Sequence, residues 1–381
     1  MRRILLAALV AATCTFAFAT PADSGQSQNI SSDQLVQIVE AGKQTPDADL
    51  AQKLSGFKLT DRLSGARLAD LKGKLAGDKS RAALTILADQ SVFLPPSAEE
   101  IPANAAPDAA ATRQMLVKIV NYVNTTVRQL PNLMATRTTN GFEDRPREER
   151  LTDTGVESLG YLPLHWVGSL SVNVTYRDRQ EVEDKSIKAR KEGSGVAGLV
   201  TTGEFGPILS TVLADALKGK ITWGHWEKDS DATLAAFDYQ VPEEKSNYHV
   251  QFCCTVGSYA PDGTAETQIF NERAAYHGEI VFNPADGSIR LLTLQADVPT
   301  VGLVAGAGIA IEYAPTDIAG HRFICPARSI SILRAHTAQQ NGAFSSSDYK
   351  GPAKTFLNDV AFSGYRRFGS EMKIVADSPA N

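Results

Sequence analysis

The six histidines of the chain stand far apart from one another in the sequence. No His-x-x-x-His and no Cys-x-x-Cys spacing is present, and these spacings bring two metal ligands together on one helix face or in one turn. Single histidines in strands are usually surface or packing residues. We therefore predict no metal site from His165, His225, His249, His277, His321 or His336.

Motifs for nucleophilic catalysis and for cofactors are missing as well. The chain has no Gly-x-Ser-x-Gly elbow. The glycines of residues 302–308 lead into a strand-like segment, whereas a phosphate-binding loop leads into a helix. Glu204, Asp238 and Glu279 could pair in a glycosidase-like site, but nothing selects a pair among 43 acidic residues. We predict no catalytic residue and no cofactor.

Two tryptophans, Trp223 and Trp226, flank His225 on a predicted strand. Their rings could contact a carbohydrate or a lipid, or they could pack in the core. Core packing is the interpretation that we favour, because large aromatic side chains bury a large apolar area.

The N-terminus is typical of a cleavable secretory signal peptide over residues 1–19. Arg2 and Arg3 precede an apolar run, and a small-x-small pattern ends at Ala19. We predict cleavage after Ala19 and a periplasmic or secreted mature chain. A retained N-terminal anchor and lipidation of Cys14 are the alternatives.

Composition limits the partners of the mature chain. Without the leader, 36 basic residues stand against 43 acidic ones, so the formal charge falls from −5 to −7. This balance excludes a general affinity for nucleic acid or for anionic membranes. No later stretch reaches the ~18 apolar residues of a transmembrane helix, so we predict no transmembrane segment in the mature chain.

Three cysteines remain after the leader: the neighbours Cys253 and Cys254, and Cys325. In an oxidising compartment they predict one disulfide and one free thiol. Adjacent residues of a strand point to opposite faces, so only one neighbour can meet Cys325. We favour Cys254, which shares its face with apolar residues; pairing of Cys253 and three free thiols remain alternatives.

The first third of the chain has a helical pattern. Residues 20–30 are polar and predict a flexible lead-in. Apolar residues at spacings of three and four predict helices over residues 31–130. Ser31 and Gln34 predict a capping box, and Ser80 predicts the cap of a later helix.

The segment from residue 131 to 376 alternates between apolar and polar residues, which is typical of half-buried strands. One helix, over about residues 207–218, interrupts these strands. Together the two regions predict an α+β protein with a mainly antiparallel sheet. We predict three hairpins, which join residues 235–241 with 248–254, 280–282 with 289–291, and 309–313 with 322–325.

Residues 232–326 carry a family resemblance. A strand ending at Tyr239-Gln-Val-Pro242 is followed by a second strand, then by His277-Gly-Glu-Ile-Val-Phe-Asn-Pro284, and then by Ile311-Glu-Tyr313 before Phe323-Ile-Cys-Pro326. This succession resembles periplasmic lipoprotein-carrier-like proteins. The resemblance implies a curved, half-barrel-like sheet that wraps helices and can hold acyl chains on its concave side. It assigns no functional residue.

We therefore expect a non-enzymatic envelope protein that binds an apolar ligand, such as a lipid, or an envelope protein partner. A secreted hydrolase with dispersed acids and histidines, and a scaffold protein without a small ligand, are the alternatives. A carrier requires an apolar cavity, whereas a hydrolase requires titratable groups that converge in a cleft. The candidate ligand-binding residues share strand faces, unless helices cover them as ordinary core: Phe237, Tyr239, Tyr248, Val250 and Phe282.

Overall fold

The computed structural model describes residues 27–125, 130–152, 155–178, 180–183, 197–199, 201, 203–229, 232–259, 265–298, 303–336 and 352–367. The predicted signal peptide and its cleavage site lie outside these residues. Within them the protein is α+β, with a large antiparallel sheet of ten strands. No helix in this part of the chain is both long enough and apolar enough to cross a membrane.

Six α-helices are present in the described residues. Ser31 and Gln34 form the predicted capping box of the first helix, with the Ser31 hydroxyl accepting from Gln34 N and the Gln34 side chain accepting from Ser31 N. The helices are α1 (Ser32–Ala41), α2 (Asp47–Ser55), α3 (Gly65–Lys74), α4 (Asp78–Gln90), α5 (Ala109–Thr125) and α6 (Pro207–Lys218).

Helix α4 begins before the predicted cap. It starts at Asp78, so Ser80 lies inside its first turn, and the prediction that Ser80 caps it is wrong. The carboxylate of Asp47, at the start of α2, accepts the backbone N–H groups of Lys79 and Ser80. A neighbouring helix therefore supplies the acceptor that an N-cap side chain usually provides.

The strands follow in chain order. They are β1 (Gln28–Ile30), β2 (Phe57–Leu59), β3 (Leu133–Arg145), β4 (Glu148–Thr152), β5 (Gly155–Leu159), β6 (Leu162–Arg177), β7 (Gln180–Glu183), β8 (Gly198–Leu199), β9 (Lys220–Asp229), β10 (Ala232–Val241), β11 (His249–Tyr259), β12 (Ala265–Arg273), β13 (Ala275–Phe282), β14 (Ile289–Asp297), β15 (Val304–Ile318), β16 (His321–His336) and β17 (Ala353–Arg367).

Strand β1 lies in the segment that was predicted to be a flexible lead-in. It pairs in parallel with β2, and Ile30 is buried in the core of the first four helices. The prediction is wrong for these residues, because one apolar side chain is enough to dock the short strand.

The large sheet has the strand order β7-β6-β3-β17-β16-β15-β14-β13-β10-β9 and is open, since β7 and β9 form its two edges. The predicted hairpin of β13 with β14 is confirmed. Strands β15 and β16 also form a hairpin, but residues 309–313 lie opposite residues 326–331 and not opposite 322–325. The turn between β13 and β14 needs Gly287, whose φ of 79° lies in the left-handed region.

The third predicted hairpin is wrong. Strand β10 pairs with β9 and β13, whereas β11 lies in a separate three-stranded sheet with β8 and β12. Between β10 and β11, Glu243–Lys245 forms a short 3-10 helix that leads the chain away from the large sheet.

The two faces of the sheet pack against different helices because successive side chains point to opposite faces. Phe237 and Phe282 lie on the face that packs against α5 and α6. Leu234 and Ala236 lie on the other face, where Val92 and Phe93 from the segment after α4 pack further along the sheet. Helices α1 to α4 also share a core of their own.

The predicted disulfide between Cys254 and Cys325 is not formed. Cys325 is a free, fully buried cysteine on β16, in an apolar cluster with Val174 and Phe362. Cys254 lies on β11 in the other sheet, and its side chain, like that of Cys253, is outside the described part. The two strands belong to different sheets, so the strand-face argument does not bring the cysteines together.

Candidate functional site

The five candidate ligand-binding residues lie in or against the largest apolar core. The side chains of Phe237, Tyr239, Val250 and Phe282 are at most 1% exposed, and Tyr248 is partly buried against the same core. Helices α5 and α6 contribute to this core, and the Tyr239 hydroxyl donates to the Thr293 carbonyl at 2.5 Å. The structure thus places all five residues in packed protein, and Tyr239 also borders one of the clefts described below.

The opposite face of the sheet changes character along its strands. On β10, Leu234 and Ala236 are buried, whereas Asp238 and Gln240, on the same face, are exposed. Helices α1 to α4 and the segment after α4, which we call the helical layer, cover only the apolar end of this sheet face. The polar end is continued by the cross-strand partners of Asp238 and Gln240, which are Thr222, Lys220, Glu279 and His277.

Two adjoining clefts lie over this polar end. One, of about 560 Å³, is bordered by Arg62 and by the segment from Val92 to Pro95, and the other has about 620 Å³. We call them together the polar groove. Both clefts are lined by Lys220, Gln240 and His277.

The wall formed by Phe93 depends on a glycine of the sheet. A Cβ atom on Gly308 would lie 2.6 Å from the Phe93 Cζ atom, which is too close for a non-bonded contact. Gly308 therefore lets the Phe93 ring lie directly on β15, next to the groove.

One side of the groove contains four charged or titratable residues, which we call the His225 cluster: Arg62, His225, Glu227 and Glu279. The Arg62 guanidinium donates to Glu227 Oε2 at 2.5 Å and to Glu279 Oε2 at 2.8 Å. The His225 ring lies between the carboxylates, with Nδ1 3.5 Å from Glu279 Oε1 and Nε2 3.6 Å from Glu227 Oε2. Nε2 is buried and has no hydrogen-bond partner.

A β-bulge in β9 produces this arrangement. Gly224 and His225 together oppose a single residue of β10, so the side chains on either side of the bulge change faces. Trp223 and Trp226 consequently meet on the α5 and α6 face, with ring centroids 4.8 Å apart, and pack against the core there. His225 and Glu227 are turned toward Arg62 on the opposite face.

Burial and charge act in opposite directions on His225. Burial alone would lower the pKa of the imidazole, but the carboxylates of Glu227 and Glu279 outweigh it and raise the pKa above 6.5. The cluster therefore favours a positive charge on the ring at mildly acidic pH.

The three carboxylates considered from the sequence are only partly brought together. Asp238 and Glu279 are cross-strand partners, and Asp238 has no hydrogen-bond or ion-pair partner among the described residues. Glu204 lies elsewhere, fully buried, with Oε1 3.4 Å from Arg137 Nη2. Of these three, the structure thus brings only Asp238 and Glu279 together.

Sequence reasoning missed Arg62 and Glu227, which hold the cluster together. Arg62 is 165 residues from Glu227, and no local pattern connects them. Two signals were available: the polar Asp238 and Gln240 on one face of an otherwise apolar strand, and Gly224 between two tryptophans, where a glycine permits a bulge.

Comparison with known proteins gives no relative. No family model, no curated protein and no solved structure matches the chain. Inferences about function therefore depend on the geometry of the polar groove.

Proposed function

We propose that the protein is exported and that it binds a small polar ligand carrying an acidic group in the polar groove. The observation that carries this proposal is the change on one sheet face from buried apolar residues to exposed polar ones where the helical layer ends. Two adjoining clefts of about 560 and 620 Å³ lie over the polar end, and clefts of this size can hold a small molecule.

The residues in the middle of the groove support an acidic group on the ligand. Lys220 lies where the two clefts join, and its ammonium has no hydrogen-bond or ion-pair partner among the described residues. His277, on the other side of Gln240, donates from Nδ1 to the Asp297 carboxylate at 2.8 Å and leaves Nε2 for a ligand. A carboxylate or phosphate would find a charge partner there.

The remaining polar groups suit hydroxyl or amine groups of the same ligand. Asp238 presents an unpaired carboxylate two residues along β10 from Gln240, which is the cross-strand partner of Lys220. A ligand with an acidic group at one end and donors at the other matches this distribution of charge.

The apolar ligand that the sequence suggested has less support. Its candidate residues are packed beneath α5 and α6. The resemblance to periplasmic lipoprotein-carrier-like proteins, with a helical N-terminal region over residues 31–130 and a curved half-barrel-like sheet, stays a proposal. The sheet is antiparallel and open, as a half-barrel would be, but helices pack on both of its faces.

A second candidate function, a secreted hydrolase, is favoured by the His225 cluster. A histidine between two carboxylates, next to the Asp238 and Glu279 pair, places titratable groups in a cleft as acid–base catalysis requires. Turnover of a bound ligand would distinguish it from simple binding.

Native mass spectrometry of the protein purified from the cell envelope tests the proposal. We expect a co-purifying polar, acidic molecule on the wild type and on Thr233→Trp. It should be absent from Gln240→Trp, because the indole fills the groove. Thr233 is an exposed residue of the same strand outside the groove and therefore provides the matched control.

Two results would contradict the proposal. A lipid that is retained equally by all three proteins would favour the apolar ligand. The proposal of a polar ligand would also be contradicted if the wild type co-purifies with no ligand and its melting temperature is unchanged by sugar phosphates, dicarboxylates and short peptides.

A further inference from the structure

We propose that His225, Glu227 and Glu279 bind one divalent metal ion of the zinc class on the side of the polar groove that borders Arg62. The inference goes beyond ligand binding and stands independently of it, because it concerns the side chains of the cluster alone. Sequence spacing predicted no metal site, since the three residues lie on two strands that are not consecutive in the chain.

The donor atoms lie close enough to share an ion. One donor from each of the three residues can be chosen so that all three lie within 4.8 Å of one another. For ligand bonds of about 2.0 to 2.1 Å, two donors of a tetrahedral site are separated by about 3.4 Å. Two donor pairs are already near this separation, since His225 Nδ1 lies 3.5 Å from Glu279 Oε1 and Nε2 lies 3.6 Å from Glu227 Oε2.

The Nε2 atom of His225 is a second, independent indication. It is buried without a hydrogen-bond partner, although the ring lies in a polar cleft. A buried ring nitrogen is normally satisfied by a donor, an acceptor or a metal.

Arg62 fits the role of an outer partner. It donates to the Oε2 atoms of both glutamates and so leaves Glu279 Oε1 free on the side of the His225 ring. Carboxylates that ligate a metal are commonly held by such hydrogen bonds. The guanidinium also offsets part of the repulsion between the two carboxylates when no metal is bound.

The donor set favours zinc over magnesium or calcium. One imidazole and two carboxylates give mixed nitrogen and oxygen ligands, whereas Mg²⁺ and Ca²⁺ select sites made of oxygen. Three protein ligands leave a fourth position, and His225 and Glu279 both line the cleft, so this position faces the groove. A ligand in the groove could therefore contact the metal directly.

Isothermal titration of the metal-stripped, tag-free mature protein with Zn²⁺ alone tests the inference. We expect one ion per chain for the wild type and at least about tenfold weaker binding for His225→Gln and Glu279→Gln, because each variant removes one of three ligands. His277→Ala is the matched control, since His277 lines the same groove but lies outside the cluster. It should bind Zn²⁺ as the wild type does.

A second measurement distinguishes the loss of the metal site from a variant that fails to fold. Co²⁺ bound by the wild type should show the visible absorption of a tetrahedral site, and circular dichroism shows whether each variant keeps its fold. The inference is overturned if a folded His225→Gln binds Zn²⁺ as tightly as the wild type. It is also overturned if the wild type shows no saturable one-to-one binding up to about 1 mM Zn²⁺, in which case Arg62 alone satisfies the carboxylates.

Discussion

Arg62, in the segment between β2 and α3, and Glu227, on the edge strand β9, form a buried ion pair with Nη2 and Oε2 2.5 Å apart. Their side chains are 6% and 11% exposed. The same guanidinium also holds Glu279. One arginine thus fixes the helical layer on the sheet and at the same time forms one side of the polar groove.

Replacing Arg62 by methionine should lower the free energy of unfolding by about 3 to 5 kcal/mol, because two mostly buried carboxylates lose their shared partner. Urea denaturation measures the change. Arg322→Met is the control, since Arg322 and Asp317 form an ion pair whose side chains are 73% and 71% exposed, and it should cost less than about 1 kcal/mol.

Adding Glu227→Gln and Glu279→Gln to the Arg62→Met variant should restore part of the loss, because no unpaired charge remains. Equal stability of Arg62→Met and the wild type would show that the ion pair does not fix the helical layer.

Local contacts explain which parts of the fold were predictable. The turn from Asn283 to Gly287 joins strands that are neighbours both in the chain and in the sheet, so turn chemistry alone identified the hairpin. The same reasoning gave the wrong partner for strand β10. Its partner β13 follows in the chain only after β11 and β12, which belong to another sheet. Pairing across such an insertion depends on non-local packing that alternation does not encode.

The candidate site was hidden for a related reason. Alternation assigns Trp223 and Trp226 to opposite faces of a regular strand, and the bulge at Gly224 places them on the same face. The same bulge turns His225 toward Arg62, which lies far away in the sequence. The sequence shows the residue types of the His225 cluster, but it does not show the strand register that brings them together.

Asp89 should make the stability of the protein depend on pH. Its carboxyl group is fully buried, and burial raises its pKa well above 3.8, although the Arg328 guanidinium opposes this shift. A raised pKa in the folded state contributes stability that is complete below about pH 3.8 and is lost as the pH rises through the folded pKa. The wild type should therefore lose stability relative to Asp89→Asn as the pH rises.

Urea denaturation of both proteins between about pH 4 and pH 8 measures this difference. In the control Asp317→Asn, the substituted side chain is 71% exposed, and the free energy of unfolding should change by less than about 0.5 kcal/mol. The prediction would be contradicted if the wild type gained stability relative to Asp89→Asn as the pH rises.

Phe237 reports whether the α5 and α6 face is filled. The side chain is 1% exposed, and its ring stacks on Phe282 with centroids 5.2 Å apart. Phe237→Ala should cost about 3 to 5 kcal/mol, because it removes buried contacts and leaves a cavity. Leu217→Ala, at a position 49% exposed on α6, is the control and should cost less than about 1 kcal/mol. A Phe237→Ala variant as stable as this control would indicate an open hollow on that face.

Cys325 should behave as an inert thiol and not as half of a disulfide. Burial raises its pKa to about 12, while a hydrogen bond with Thr316 acts weakly in the opposite direction. Because the thiolate is the reactive species, iodoacetamide at about pH 8 should leave Cys325 unmodified in the native protein. After unfolding in urea without reductant, the same residue should become alkylated, which peptide mapping by mass spectrometry detects. Modification that appears only after reduction, or a peptide with Cys325 linked to Cys253 or Cys254, would instead establish the disulfide.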